Sequence, residues 1–378
     1  MNFKCQQSDL SSSLALAFRA IPGKATLPIL SNIKIEAGGD GITLTGFNLG
    51  LAIETTCPAT DISGQSICIP AKLLIDIVSK LSPGEIFVST AGYTVTIRST
   101  TGEYKISGLP STEYPELPSA PANAEPYHIP ADALINGLHG VLIACSDDET
   151  KQILTGVNIK AAFDRLEFAA TDGHRLSVVE AAVEGEPSEP INLTVPAKSL
   201  KELERMLTTR PAENIALYFS AGQATFEWTS EQGLQRLTTR TIDGKYPDYR
   251  MLIPQRFDKQ VTIDRKQLIS SLERIAVLAE QKNNLVKFDI SQVGRLVASV
   301  EAQDVGSGIE TLPATVLGDG LVTAFNVRYL LDGLRIMATG EVMIDLNGAL
   351  EQVIFRPVGG VWMIYLVMPV QLHGGNDD

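Results

Sequence analysis

Long apolar runs are missing from this chain: no stretch of eighteen hydrophobic residues occurs, so no membrane-spanning helix is expected. Cysteine is scarce. Cys5, Cys57, Cys68 and Cys145 stand far apart, in none of the spacings that hold zinc. The opening residues Met1–Gln6 carry no apolar segment of the secretory kind, so the thiols read as reduced cysteines of a cytoplasmic protein. Also absent are the phosphate and dinucleotide loops GxxxxGK[ST] and GxGxxG, and the hydrolase signatures HExxH and GxSxG. Neither a metal nor another cofactor is expected. Basic residues are in the minority, 31 Lys and Arg against 44 Asp and Glu, for a net charge of −13. Such a sum argues against a nucleic-acid partner unless the positive charge is gathered on one surface.

What is present is a plan written three times. The 378 residues, 44% apolar and 20% charged, suit a globular protein of two or three domains. Phe3–Cys5, Tyr127–Ile129 and Val261–Ile263 are short strand-like runs, each followed by a helical pattern. Leu10, Leu14, Ala17 and Phe18 recur at the spacing of one helix face. Leu134, Leu138, Val141 and Leu142 repeat that stripe, as do Leu268, Leu272, Ile275 and Ala276. A second helix is expected from Pro70–Lys72, Pro196–Lys198 and Asn326–Arg328, with proline in its first turn or asparagine as its cap. Alternating runs such as Ile42–Thr45, Thr94–Ile97 and Val342–Asp345 read as antiparallel strands.

The fold class is therefore α+β: three similar domains, each an antiparallel sheet plus two helices. The Pro/Ala-rich segment Leu117–Pro126 and the Tyr-Pro segment Tyr246–Pro254 mark the boundaries. They give domains over 1–120, 127–254 and 255–372, with His373–Asp378 as a frayed tail.

The expected helices do not share the acidity of the chain. The stretches Lys198–Arg210 and Arg265–Arg274 each carry +2, and Lys72–Lys80 and Arg328–Arg335 each carry +1. Lys198, Lys201 and Arg205 share one helix face, and Lys72 and Lys80 bracket another helix. One reading is an ordinary solvated helix face; the other is that the helices face one common surface, which would then hold phosphates without reading bases.

A different feature is the run Ala170–Leu176, ATDGHRL, between the strand-like runs Leu166–Ala169 and Ser177–Val179. Asp-Gly predicts a hairpin turn with positive φ at both positions, lifting His174 and Arg175 to a sheet rim.

Together these residues resemble the bacterial sliding clamp, the beta subunit of DNA polymerase III. The resemblance spans the whole chain. It rests on Thr26–Leu30, Leu44–Gly46, ATDGHRL, Val195–Pro196 before a basic helix, YPDYR at Tyr246–Arg250, and VMP at Val367–Pro369. It implies a head-to-tail homodimer, a closed ring around duplex DNA that tethers the replicative polymerase. The chain would be a processivity factor of the polymerase III holoenzyme and not an enzyme, cytoplasmic and nucleoid-associated.

The resemblance places Lys24, Lys198 and Arg205 toward DNA, with Lys72, Lys80 and Lys201 alongside. It places Tyr104 and Ile106, with Val277 and Leu278, at the dimer seam. It assigns a peptide pocket to Leu154, Thr171, Gly173, His174, Arg175, Leu176, Pro247, Leu252, Leu350, Val367, Met368, Pro369, Val370 and Leu372. The polymerase III alpha subunit, the clamp loader, and other polymerases and repair proteins would dock there through short peptide motifs. Two departures stand out: Met251 and Gln371 occupy positions where relatives carry arginine, which implies a more apolar pocket. Two other readings are a triple-repeat interaction scaffold with no DNA role, and a hydrolase built on Asp172 and His174.

Overall fold

All three apolar stripes become helices. The structure, a computed structural model, describes residues 1–39, 41–118, 124–185, 187, 189–220, 222–281, 283–302 and 305–371. The linker residues 119–123, Leu372 and the tail 373–378 lie outside that range. The first helix of each repeat is α1 (Gln7–Ala17), α3 (Ala131–Val141) and α5 (Arg265–Ala279); the second is α2 (Ala71–Val78), α4 (Ala197–Thr209) and α6 (Val327–Ile336). Every stripe position is buried except Phe18, which is half-buried and packs against the first core. Asp264 caps α5 by accepting from the Gln267 N–H at 2.8 Å, and Asn326 caps α6 by accepting from Arg328 N–H at 3.0 Å. Pro70 and Pro196 stand one residue earlier than expected, ending a strand just before the helix.

The packing divides the chain into two units, Met1–Leu134 with Lys198–Ile242, and Ile135–Ala197 with the chain from Asp243 onward. In the first unit one sheet runs β5 (Thr60–Ser63), β1 (Asn2–Gln6), β7 (Glu85–Ala91), β8 (Thr94–Arg98), β9 (Glu103–Ser107). Its second sheet runs β10 (Tyr127–Pro130), β15 (Asn214–Ser220), β16 (Gln223–Ser230), β17 (Gly233–Arg240), β4 (Leu51–Pro58), β3 (Gly41–Phe47), β2 (Asn32–Ala37), β6 (Ser66–Pro70).

The second unit has a nine-stranded sheet, β14 (Ile191–Pro196), β11 (Gly156–Ala162), β12 (Arg165–Thr171), β13 (Arg175–Ala182), β26 (Trp362–Val367), β25 (Val353–Pro357), β24 (Glu341–Leu346), β18 (Lys259–Asp264), β22 (Thr315–Leu317). Its four-stranded sheet runs β21 (Gly306–Pro313), β20 (Arg295–Ala302), β19 (Leu285–Asp289), β23 (Val322–Asn326).

The antiparallel α+β expectation holds. Alternation did not foretell that each repeat divides its strands between two sheets, because a period of two reports which face is buried and not which strand lies alongside. Two sheets also run on from one repeat into the next. β17 pairs β4 from Gln235↔Thr55 to Thr239↔Leu51, and β13 pairs β26 from Arg175↔Val367 to Glu180↔Trp362. Polar side chains reinforce the first joint: Thr55 Oγ1 donates to Gln235 Oε1 at 2.6 Å, and Arg236 bridges Glu54 and Glu227.

Helices approach the sheets closely where glycine leaves room. A Cβ on Gly333 of α6 would fall 2.1 Å from the ring of Tyr365, and one on Gly137 of α3 would fall 2.2 Å from Phe168. In the first repeat Cys5 and Cys57 are both buried and meet in the core, where hydrogen bonding between them and burial push the Cys5 thiol pKa far up. These thiols are inert filling.

Candidate functional site

The ATDGHRL turn joins β12 to β13, with Thr171 paired to Leu176. Only Gly173 takes a positive φ, +94°, so the turn differs from the expected hairpin type. Asp172 holds it instead: Oδ1 accepts from the His174 N–H at 2.8 Å and the Arg175 N–H at 3.0 Å. Its Oδ2 pairs with Arg175 Nε at 3.0 Å. The carboxylate therefore serves the backbone and Arg175, and the His174 ring stacks on Tyr329, centroids 6.4 Å apart. That arrangement gives no Asp–His couple for hydrolysis.

Arg175 does not point free into a groove. Its Nη1 lies 2.6 Å from Asp332 and 3.5 Å from Tyr365 Oη, and the guanidinium lies over the Tyr329 ring at 4.4 Å. Burial works against its charge, but Tyr365, Asp332 and Asp172 outweigh that and hold it more firmly protonated than usual. Its role is to tie the turn to α6.

The YPDYR segment lies over the same sheet through a second network. Tyr246 Oη accepts from the Thr171 N–H at 3.1 Å. Tyr249 Oη donates to the buried carboxylate of Glu167 and accepts from Lys160 Nζ at 2.9 Å. Arg250 pairs with Glu167 and with Glu180, the latter at 3.0 Å, while Arg165 reaches Glu180 at 3.6 Å. Burial and the Glu167 bond push the Tyr249 phenol pKa well above its usual value. Sequence reading missed Glu167, Tyr246, Tyr249, Tyr329 and Asp332. The one available signal was Glu167, a lone acid in the otherwise apolar run Leu166–Ala170.

These networks flank an apolar patch within the second unit. Leu154 and Met368, with Ile153 and Ile253, pack half-buried on a cluster holding Leu176, Tyr246, Tyr249, Ile354 and Leu366. Met368 N–H donates to His174 C=O at 2.9 Å, which brings the chain end to the turn. Val370 N–H donates to Ala324 C=O at 2.8 Å on β23, and Thr323 of that strand donates to Ala349, beside Leu350. Leu252, Leu350, Val370 and Pro247 are exposed, Pro369 is half-buried, and Gly173 and His174 lie at the rim. Thr171, Leu176 and Val367 are buried. Leu372 lies outside the described residues.

The expected DNA-facing cations all fall in the first unit, and Lys24, Lys72, Lys80, Lys198, Lys201 and Arg205 are all exposed. Lys72 pairs with Asp76 at 3.1 Å, and Arg205 with Glu202 at 2.9 Å. Surface pairs of this sort contribute little and yield to a phosphate. In α5 and α6 Arg274 pairs with Glu310, Arg335 with Glu273 and Arg328 with Glu280. Arg265 donates to the Leu334 and Thr339 carbonyls, closing the end of α6, and adds nothing to a free basic face.

At the expected seam, Tyr104 of β9 is 43% exposed, while the Ile106 side chain, at 3%, packs into the core of its own repeat. On β9 Glu103, Tyr104, Lys105 and Ser107 are exposed, and Ile106 alone is buried. Val277 is 66% exposed, while Leu278 is half-buried near Gly308 of β21. Ile309 of β21 is 72% exposed. Both β9 and β21 are edge strands.

Among the described residues no group of His, Cys, Asp and Glu is placed to hold a metal ion. No described helix is long and apolar enough to cross a membrane.

Repeated pairs of helices on antiparallel sheets that run from one repeat into the next define a clamp of the DNA polymerase processivity class. Models of the DNA polymerase III beta subunit match along the chain: the N-terminal domain over residues 1–118, the central domain over 128–248 and the C-terminal domain over 250–371. The beta sliding clamp of Synechococcus elongatus is 44% identical over 99% of this chain and 100% of its own length. That of Bacillus subtilis is 30% identical over 99% of this chain and all of its own. The crystal structure of the B. subtilis DNA polymerase sliding clamp superposes with a TM-score of 0.91 at 28% identity, covering 99% of this chain and 100% of that one. The beta subunit from the DNA polymerase of Streptococcus pyogenes gives 0.91 at 28%, covering 98% and 100%. The chain belongs to the beta sliding clamp family, the beta subunit of DNA polymerase III. Its function is that of a DNA sliding clamp, a processivity factor and not a catalyst.

Proposed function

We propose that the chain acts as a head-to-tail homodimer of three clamp domains per chain, over 1–120, 127–254 and 255–372, closed into a ring around duplex DNA. The observation that carries this reading is the pattern of joined and free sheet edges. β17, the last strand of one central-repeat sheet, joins β4, and β26, the last strand of the third repeat, joins β13. Two strands in the equivalent places, β9 in the first repeat and β21 in the third, have no neighbour on one side among the described residues. An exposed edge invites another strand, and β9 of one chain on β21 of another would repeat the joint already used twice. Tyr104, Val277 and Ile309 supply exposed apolar surface beside those edges.

In this reading Lys24, Lys72, Lys80, Lys198, Lys201 and Arg205 line the hole and meet the phosphate backbone without regard to sequence. Closure holds the ring on DNA, so contacts need only be weak and screened, which permits sliding. The groove of Leu154, Leu252, Leu350, Met368 and Val370 takes a short peptide from the polymerase III alpha subunit, the clamp loader, or other polymerases and repair proteins. The cytoplasm is where these partners meet.

The test loads the protein onto a nicked circular plasmid with a clamp loader and measures retention by gel filtration. Retention on the circle and release after a single restriction cut is the expected result. Equal retention on both forms would mean gripping and not encirclement.

A further inference from the structure

We infer that the groove selects peptides whose residues flanking the apolar anchors are uncharged or apolar, and discriminates against acidic ones. This deepens the peptide-docking reading above and rests on it. The lining segments 152–154, 171–176, 247–252, 350 and 367–370 contain two arginines, Arg175 and Arg250.

Neither arginine is spare. Arg175, its side chain 11% exposed, is held between Asp172 and Asp332 with Tyr329 beneath it. Arg250 is claimed by Glu167 and Glu180. The nearby Lys160 and Arg165 are also engaged, with Tyr249 and Glu167 and with Glu180. To recruit Arg175 a ligand carboxylate would have to displace one already positioned and mostly desolvated, leaving that acid unpaired, and such an exchange gains nothing. The exposed Asp248 adds a further negative charge to the segment.

What the groove does present is apolar. Met251 is 82% exposed, Leu350 55%, Leu252 47% and Val370 36%. A flexible thioether beside leucine and valine moulds to aliphatic and aromatic side chains of varied shape. An acidic flank would lose its hydration there without gaining a partner, and would face the negative charge of Asp248.

The experiment is calorimetric titration of the intact protein with three peptides blocked at both ends. Each carries two leucine anchors and differs only at the flanking residue: Leu, Asn or Asp. The expected order is Leu tightest and Asp weakest, with Asp about fivefold weaker than Asn at low salt and the gap closing as salt screens it. Met251→Arg, at a position where an extra charge does not burden the fold, should reverse the Asn/Asp order in a salt-dependent way. A wild-type protein that prefers Asp to Asn overturns the inference but leaves the groove intact. If Leu350→Asp and Met368→Asp leave the Leu peptide bound as before, or if no peptide binds, the groove reading itself falls and the inference with it.

Discussion

Glu167 shows how much a single buried side chain carries here. Its two oxygens receive Tyr249 and Arg250, with Lys160 alongside, so its removal strips a buried phenol of its acceptor and takes one carboxylate from both Arg250 and Lys160. Glu167→Ala should lower unfolding stability by about 2 kcal/mol in urea titration, with Glu167→Gln costing less. Gly333→Ala acts by sterics: the added methyl meets the fully buried Tyr365 ring, and a loss of about 1–3 kcal/mol is expected in the same assay. A third expectation concerns alkali. Burial raises the phenol pKa of Tyr114, Tyr246, Tyr249 and Tyr365 above the usual value near 10. The folded state therefore keeps protons that the unfolded state releases, and stability is intact below about pH 10 and falls as pH rises beyond it. Each such tyrosine steepens the decline by up to about 1.4 kcal/mol per pH unit. Absorbance at 295 nm and circular dichroism should change together; ionisation well before unfolding would show the phenols to be accessible.

At the scale of the element, the sequence was most legible where periodicity is a direct image of burial. Each of the six helices lies where its stripe or its Pro/Asn start put it, because one face must be apolar to be covered. The proposed groove was legible only through its motifs. Nothing in the spacing of Asp172, Arg175 and Asp332 says that they converge, since Asp332 is brought to the turn by tertiary packing alone. A strand at an edge still has an inward face, and the Ile106 side chain lies on it. The outward residues are the ones to alter. Val277→Asp or Ile309→Asp, on the proposed seam, should shift the protein to monomer in sedimentation velocity with its circular dichroism unchanged; a dimer that persists would remove those residues from the contact. Charge reversal at Lys198, Lys201 and Arg205 on α4 should leave the dimer whole but cut retention on circular DNA. Where equilibrium binding is measurable, losing three phosphate contacts should flatten the salt dependence by about 2–3 in the log–log slope.

For the whole molecule, the feature with the widest reach is the pair of strand-to-strand joints beside two unpaired edges. In the proposed dimer β9 of one chain would meet β21 of another head to tail, and a contact of that kind has two possible fates: it closes, or it propagates. Which one occurs depends on the angle turned at each joint, and that angle is set inside the monomer by the pairing of β17 with β4 and of β13 with β26. A substitution in those strands that leaves every domain folded but alters the twist, such as loss of the Arg236 bridge to Glu54 and Glu227, would then be felt far away, at a seam it never touches. Negative-stain microscopy of Arg236→Ala is the place to look for it, because polymers of intact subunits are what a misaligned joint would make.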